Sequence, residues 1–326
     1  MHVNLSIVLM SFLNVFDINY HYLFHHFMKN FEKEYTINSF DQKFEIFKEN
    51  VQFIYKHNQN NEKNFTLGIN QFTDLTNDEF KDFVKSSKPK LYDFNKCDPM
   101  VTIKNDLPDS IDWREKNAVT EVKDQGQCGS CWSFSATGAI EGINSIVNKF
   151  LQSFSEQELV DCSSESPYHN HGCNGGLMDS AFNYVIDHGL CDDKDYPYDA
   201  KESECKSGQC KPKVKISKCY DVTPNNQMEL KKAVSMQPVS VAIEADTRYF
   251  QSYKSGVLTS DACGTDLDHG VLVVGYGSED GVDFWLVKNS WSSSWGEDGF
   301  VKIERTDSTN SEGVCGIAME PSYPSF

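Results

Sequence analysis

The chain has 326 residues, 48 of them acidic against 30 basic, for a net charge of −18. That length allows two or three units and a sizeable core. So acidic a balance argues against a nucleic-acid binder and against attachment to an anionic membrane. Eleven cysteines are many for one chain; they read as disulfides in a secreted or lysosomal setting and would need a metal or redox role in the cytosol.

The apolar run 5–16 reads as a secretory signal, but its basic flank is only His2 and no small-x-small cleavage site follows. A mis-started N-terminus is the competing reading. No apolar run approaches the ~20 residues a membrane-spanning helix needs. From Tyr22 the pattern turns helical. Phe24, Phe27, Met28 and Phe31 share a face, and Phe40, Phe44, Phe47, Val51 and Ile54 recur at spacings of four, three, four and three. This is the stripe of an amphipathic helix, and a hairpin of two such helices needs a surface to pack on. Residues 85–106 lose the periodicity and read as a linker.

Gln125-Gly126-Gln127-Cys128-Gly129-Ser130-Cys131-Trp132 runs into a helix-like pattern from Ser133 to Glu141. Cys131 therefore opens a helix, where backbone N–H groups and the positive dipole end favour a thiolate. A thiolate so placed is a ready nucleophile. Taken alone, Cys-x-x-Cys also suits a zinc site, for which Cys162, His169, His171 and Cys173 could be recruited. It equally suits a redox motif, which wants a βαβ frame that is not visible. Ser155-x-x-Glu158 reads as a capping box opening a short helix. The loop Gly172-Cys173-Asn174-Gly175-Gly176 would let an extended peptide approach the backbone. A helix over Met178 to His188 is closed by Gly189. Beyond it, Pro238–Ile243, Gly270–Gly275, Asp283–Val287 and Phe300–Ile303 read as strands, with Asp280-Gly281 as a hairpin turn. The pattern predicts a helical half carrying Cys131, a β half carrying His269 and Asn289, and a cleft between them.

Cys128-Gly129-Ser130-Cys131-Trp132, Asp268-His269-Gly270 and Lys288-Asn289-Ser290-Trp291 together resemble the active-site segments of papain-like cysteine proteases. His269 and Asn289 follow Cys131 by 138 and 158 residues, against a family spacing of roughly 130–150. Phe47-x-x-Asn50-x-x-x-Ile54-x-x-x-Asn58 and Gly68-x-Asn70-x-Phe72-x-Asp74 resemble the propeptide motifs of cathepsin L-like zymogens. Ser39 and Lys43 depart from that pattern, where glutamate and arginine are usual, and put the pro-domain's internal salt bridge in question. Leu107 to Arg114 resembles a mature N-terminus, so the maturation cut is expected a few residues before Leu107.

The resemblance implies an α+β, papain-like two-subdomain fold, with a helical left half and an antiparallel β-barrel-like right half, preceded by a helical pro-domain. The expected division is an N-terminal segment at 1–21, an inhibitory pro-domain at 22–84, an activation linker at 85–106 and a mature peptidase domain at 107–326. It implies a monomeric, secreted or lysosomal/endosomal cysteine endopeptidase acting on protein and peptide substrates without a cofactor or metal. Its own pro-segment and cystatin-type inhibitors would restrain it.

By the same resemblance Cys131 is the nucleophile, His269 the acid and base, Asn289 its orienter, Gln125 the oxyanion donor, and Trp291 a shield over the Asn289–His269 bond. Gly129, Gly175, Gly176, Asp268 and Trp295 join the substrate-binding set. Leu177, Met178, Ala242 and Leu267 would line the pocket for the side chain two residues before the cut. Glu320 at its bottom would admit arginine beside apolar residues. Disulfides are implied at Cys128–Cys173, Cys162–Cys205 and Cys263–Cys315. Cys191, Cys210 and Cys219 exceed that set; two of them are expected to pair and leave one over, and spacing does not choose which. Cys97 is expected to leave with the pro-segment. Finally, Ser292 and Ser293 stand where glycines are usual, which strains the turn if φ is positive there.

Overall fold

The amphipathic stripes of the N-terminal unit close on one another before they meet anything else. The computed structural model describes residues 18–60, 63–85, 97–100, 106–206, 208 and 210–326; the apolar N-terminal run and most of the linker lie outside them. Helices α1 (Tyr20–Asn30) and α2 (Ile37–Asn58) pack through Phe24, Phe27, Phe44, Phe47 and Val51, all buried. The asparagines of the first propeptide-like motif then fasten α2 to the segment that follows. Asn50 Nδ2 donates to the carbonyls of Thr73 and Leu75 (2.9 and 2.8 Å), and Asn58 bonds both ways with Leu67. Lys43 reaches Glu79 (2.9 Å) on helix α3 (Asn77–Lys85), while Lys33 and Tyr35 hold Asp74. The internal salt bridge therefore survives the departures at Ser39 and Lys43.

This unit docks by adding strand β1 (Phe65–Leu67) antiparallel to β6 (Tyr253–Leu258). Around it, Asn70 donates to the Gln251 carbonyl (2.7 Å), Gln251 to those of Phe72 and Leu75, and Gln71 to that of Trp291 (2.6 Å). Phe72, Phe80 and Phe83 gather on the Trp291 ring.

The C-terminal unit divides as its periodicity predicts. Its helical half holds α4 (Cys131–Asn148), α5 (Glu156–Cys162) and α6 (Met178–His188). Its β half holds a long hairpin, β7 (His269–Glu279) and β8 (Val282–Lys288), flanked by β9 (Phe300–Glu304) on one side and β5 (Val239–Ile243) on the other. Asp280 (φ 50°) and Gly281 (φ 82°) make the two-residue turn with both residues at positive φ, as a right-twisted hairpin prefers. Strands β10 (Ser322–Ser325) and β4 (Lys218–Asp221) continue the sheet beyond β5. Strand β3 (Ile111–Asp112) pairs with β7, and β2 (Asp98–Pro99) lies parallel to β4 at the edge. Two short helices, α7 (Gln227–Val234) and α8 (Arg248–Gln251), complete the β half. Among the described residues, no helix is long and apolar enough to cross a membrane.

All eleven cysteines are placed. Cys128–Cys173, Cys162–Cys205 and Cys263–Cys315 are bonded as the resemblance implies, and Cys191 pairs with Cys210. The fifth bridge corrects two expectations. Cys219 is not left over, and Cys97 does not belong to the N-terminal unit alone: they are bonded to each other across 122 residues. The β2–β4 pairing places their backbones side by side. Cys131 is the one cysteine outside these bridges. With Cys128, Cys162 and Cys173 all in disulfides, three of the four thiolates on which the zinc reading was built are taken, and Cys131 alone is left.

The capping box is half realised. Ser155 Oγ accepts from Glu158 N (2.9 Å) at the start of α5, but the Glu158 carboxylate turns inward to Cys191 N (2.7 Å) and the Tyr184 hydroxyl. Ser155 is fully buried and also donates to the Tyr196 carbonyl. Ser155→Ala strands both partners, and we expect it to lower stability by about 1–2 kcal/mol. Denaturant unfolding would read this as a lower midpoint at unchanged slope.

Candidate active site

Helix α4 runs through the middle of the C-terminal unit, and its first residue is Cys131. It lies close against the sheet because small residues face it. A Cβ on Gly138 would stand 2.7 Å from Leu272 of β7, and one on Gly142 would stand 2.6 Å from Pro238. Two serines stitch the contact: Ser135 Oγ donates to the Val271 carbonyl (2.7 Å), and Ser240 Oγ donates to the Ser135 carbonyl (3.0 Å). The result sets the start of α4 against the start of β7, where Gly270 N–H donates to Cys131 Sγ at 3.2 Å.

His269 opens β7 and Asn289 follows the last residue of β8, so the hairpin itself brings them together. His269 Nε2 donates to Asn289 Oδ1 at 2.8 Å; among the described residues Nδ1 makes no hydrogen bond. The bond to Asn289 thus fixes the tautomer and leaves Nδ1 for chemistry. Trp291 stacks on the imidazole at 4.6 Å and 24°. Burial pushes the His269 pKa down to about 4, partly opposed by the Asn289 bond. With the N-terminal unit docked, the protonated imidazole is therefore disfavoured.

Gln125 is clamped from both sides. Its backbone N–H donates to the Ser290 carbonyl (2.9 Å), and its Oε1 accepts from Ser290 Oγ (2.6 Å). Nε2 donates to the Cys128 carbonyl at 3.0 Å. An amide nitrogen carries two hydrogens, so one donor remains beside the turn that leads into Cys131. The Cys128–Cys173 bridge and the bond from Gly129 N–H to the Cys173 carbonyl (2.9 Å) hold that turn against the glycine loop.

The expected substrate residues fall into two groups. Leu177 caps α6, Met178 approaches Gly270, Ala242 pairs with Gly270 across β5 and β7, and Leu267 lies against Gly316. Glu320 is exposed, close enough to Asp221 for that charge to matter; crowding first and Asp221 second raise its carboxyl above the usual range. The other group is inward. Trp295 is fully buried against Phe250 and Trp291, and Asp268 accepts from Ala245 N (2.8 Å) in the interior. Gly175 has φ 105°, and a Cβ on Gly176 would meet Asn170 Oδ1 at 2.5 Å and Trp132 at 2.6 Å. The glycine loop is thus demanded by its own packing. Ser292 has φ 63°, the strained conformation expected of a side chain in that turn.

Two contributors have no signal in the sequence, Ser290 as the clamp on Gln125 and Gly270 as a donor to the thiol; nor has the buried carboxyl of Asp179, which lies outside that cluster. The Asp179 carboxyl is pushed up to about 8 by burial and by the neighbouring Asp221. Each depends on a partner remote in sequence.

The family model described as papain family cysteine protease matches residues 107–325, and the one described as cathepsin propeptide inhibitor domain (I29) matches residues 24–80. Probable cysteine protease RD21B of Arabidopsis thaliana is 50% identical over 87% of this chain, which spans only 61% of that longer protein. Cysteine proteinase COT44 of Brassica napus is 46% identical over 92% of this chain and 93% of its own. Digestive procathepsin L 3 from the Tenebrio molitor larval midgut superposes with a TM-score of 0.86 at 41% identity, covering 95% of this chain and all of that one. The chain belongs to the papain family of cysteine proteases and carries its cathepsin-type propeptide inhibitor domain on the same polypeptide.

Proposed function

We propose that the chain is the zymogen of a cysteine endopeptidase that cleaves peptide bonds with the Cys131 thiolate and the His269 imidazolium. The observation that carries this is the bond from His269 Nε2 to Asn289 Oδ1, beside the Gly270 N–H that meets Cys131 Sγ. Nδ1 takes the thiol proton, Sγ attacks the carbonyl carbon, and the imidazolium returns the proton to the leaving amine. Asn289 holds the ring without adding charge. The remaining N–H of Gln125 and the backbone N–H of Cys131 receive the oxyanion. No inserted loop is evident in the sequence to block one end of the cleft, which favours endopeptidase over exopeptidase action. Five disulfides suit an oxidising route, secreted or lysosomal, where cystatin-type inhibitors would meet the same cleft.

A peptidyl epoxide is expected to label Cys131 alone, and Cys131→Ala to abolish hydrolysis; label at any other residue would refute the assignment. Gln125→Ala should lower kcat by about 10²–10³-fold with little change in KM.

The pocket residues support apolar side chains two positions before the cut, with Glu320 adding arginine through paired hydrogen bonds. Because the Glu320 carboxyl is raised, it ionises later than an ordinary glutamate as pH climbs. The ratio of kcat/KM for matched Arg and Leu substrates should therefore rise across a window above the usual glutamate range. Glu320→Ala should flatten that rise; an unchanged ratio removes Glu320 from the pocket.

The pro-domain is proposed to inhibit at neutral pH and loosen in acid. Two groups at its dock carry the sign. Asp261 is held below its usual range, first by its hydrogen bond to Lys63, so its contribution is present above the free carboxylate value and lost as pH falls through the lowered one. His57, bonded to the Phe65 carbonyl (3.1 Å) and beside the Tyr249 ring, is lowered chiefly by burial. It stays neutral when docked, so acid favours the undocked form, which takes up the proton more readily. His57→Gln should keep inhibition at neutral pH and lose part of its weakening in acid, measured as the inhibition constant of the pro-domain fragment against pH.

A further inference from the structure

We propose that cutting the chain before Leu107 does not release the pro-segment, because the Cys97–Cys219 disulfide keeps it tethered to the peptidase until a thiol reductant opens the bond. The inference rests on the zymogen reading above and goes beyond it.

Cys219 lies on β4, deep within the unit that begins at Leu107. Cys97 lies ten residues before Leu107, on the pro-segment side of a cut made a few residues before that position. The linker does not merely pass this point. Asp98 and Pro99 pair in parallel with Tyr220 and Asp221, and Met100 N–H donates to the Asp221 carbonyl at 2.8 Å. Strand β2 is thereby the edge strand of the peptidase sheet, next to β4. A cut beyond Met100 leaves this strand, its disulfide and the whole pro-domain attached.

A tether changes inhibition from a bimolecular to a unimolecular event. The effective concentration of a linked partner is on the order of millimolar, whatever the dilution of the protein. Acid then loosens the dock without losing the inhibitor, and a return to neutral pH restores it. Only scission of the tether makes activation permanent. In that step a dithiol reductant's thiolate attacks one cystine sulfur, forming a mixed disulfide and expelling the other sulfur as thiolate. Its second thiol then closes on the first, leaving Cys97 and Cys219 reduced and the dithiol oxidised by two electrons.

The order of events follows from burial. Cys97 and Cys219 are 8% and 4% exposed, so reductant reaches them poorly while β2 is continuous on both sides. The cut gives β2 a loose end. Two paired residues and an exposed Asp98–Lys218 ion pair hold little against fraying. Cleavage therefore exposes the bond that reduction must open.

The test uses the full chain with Cys131→Ala, cut in trans by active enzyme, with the new N-terminus sequenced. At acid pH without reductant, the pro-fragment and the peptidase should co-elute on size exclusion and run as one band on a non-reducing gel. A dithiol should separate them, and faster after the cut than before it. In active protein, neutralising the acid-processed wild type should suppress activity at a rate independent of enzyme concentration. In Cys97→Ser/Cys219→Ser, suppression should fall away on dilution, leaving at least about tenfold more activity at nanomolar enzyme. Separation without reductant, equal rates of reduction before and after the cut, or a mapped cut on the N-terminal side of Cys97 each overturns the proposal. If the reduced, separated peptidase from wild type hydrolyses nothing, the zymogen reading fails instead, whatever the gels show.

Discussion

The closeness of α4 to β7 is the constraint on which the site depends. The start of a helix and the start of a strand from two halves of a chain come together only if the helix can lie almost on the sheet. Glycines at 138 and 142 remove the side chains that would hold it off, and Gly270 lets β7 approach Trp132, where a Cβ would stand 3.2 Å from the Trp132 backbone. Packing at this distance buries polar backbone, which is why serines at 135 and 240 bond across the seam. Interiors are packed too densely to absorb an added methyl group without a shift, so the seam also fixes where Cys131 sits.

Behind the site the two halves share a buried charge network. Lys123 bonds both Glu141 (3.1 Å) and Glu156 (2.6 Å) in the helical half, and Lys288, the residue before Asn289, bonds Thr120. Burial would raise both carboxyls, but Lys123 and Lys288 outweigh it at Glu141, which stays below the usual range. Glu156, with Glu141 beside it, is raised. Burial likewise pushes Lys288 down to about 8. Such a network contributes little net stability and much specificity of arrangement: removing one partner leaves an uncompensated buried charge. Lys288 ties the end of β8, next to Asn289, to Thr120 of the helical half.

Most of this architecture was legible because it repeats locally. Short runs of β-branched and aromatic residues marked β5, β7 and β8, the three-and-four spacing marked α2, and Asp280-Gly281 marked the hairpin. The segments that carry Cys131, His269 and Asn289 were legible as motifs. What stayed hidden depended on meetings between distant residues. The β2–β4 pairing is two residues long and joins positions 122 apart, so neither periodicity nor cysteine spacing announces it. Glu158 read as a capping residue because Ser155 stood three positions earlier; a buried Cys191 N–H competed for it and won. The clamp of Ser290 on Gln125 is equally silent, since serine beside asparagine is an ordinary turn pair.

Trp291 stands between two populations of neighbours. One face of the indole lies on His269, while Phe72, Phe80 and Phe83 of the pro-domain crowd around it. Trp113, Trp132, Trp285 and Trp295 have their partners within the peptidase itself. Departure of the pro-domain thus rewets one particular indole, and the molecule carries an intrinsic fluorophore that reports undocking independently of any substrate. Undocking and acquisition of activity can then be timed separately, on the same sample and without a label.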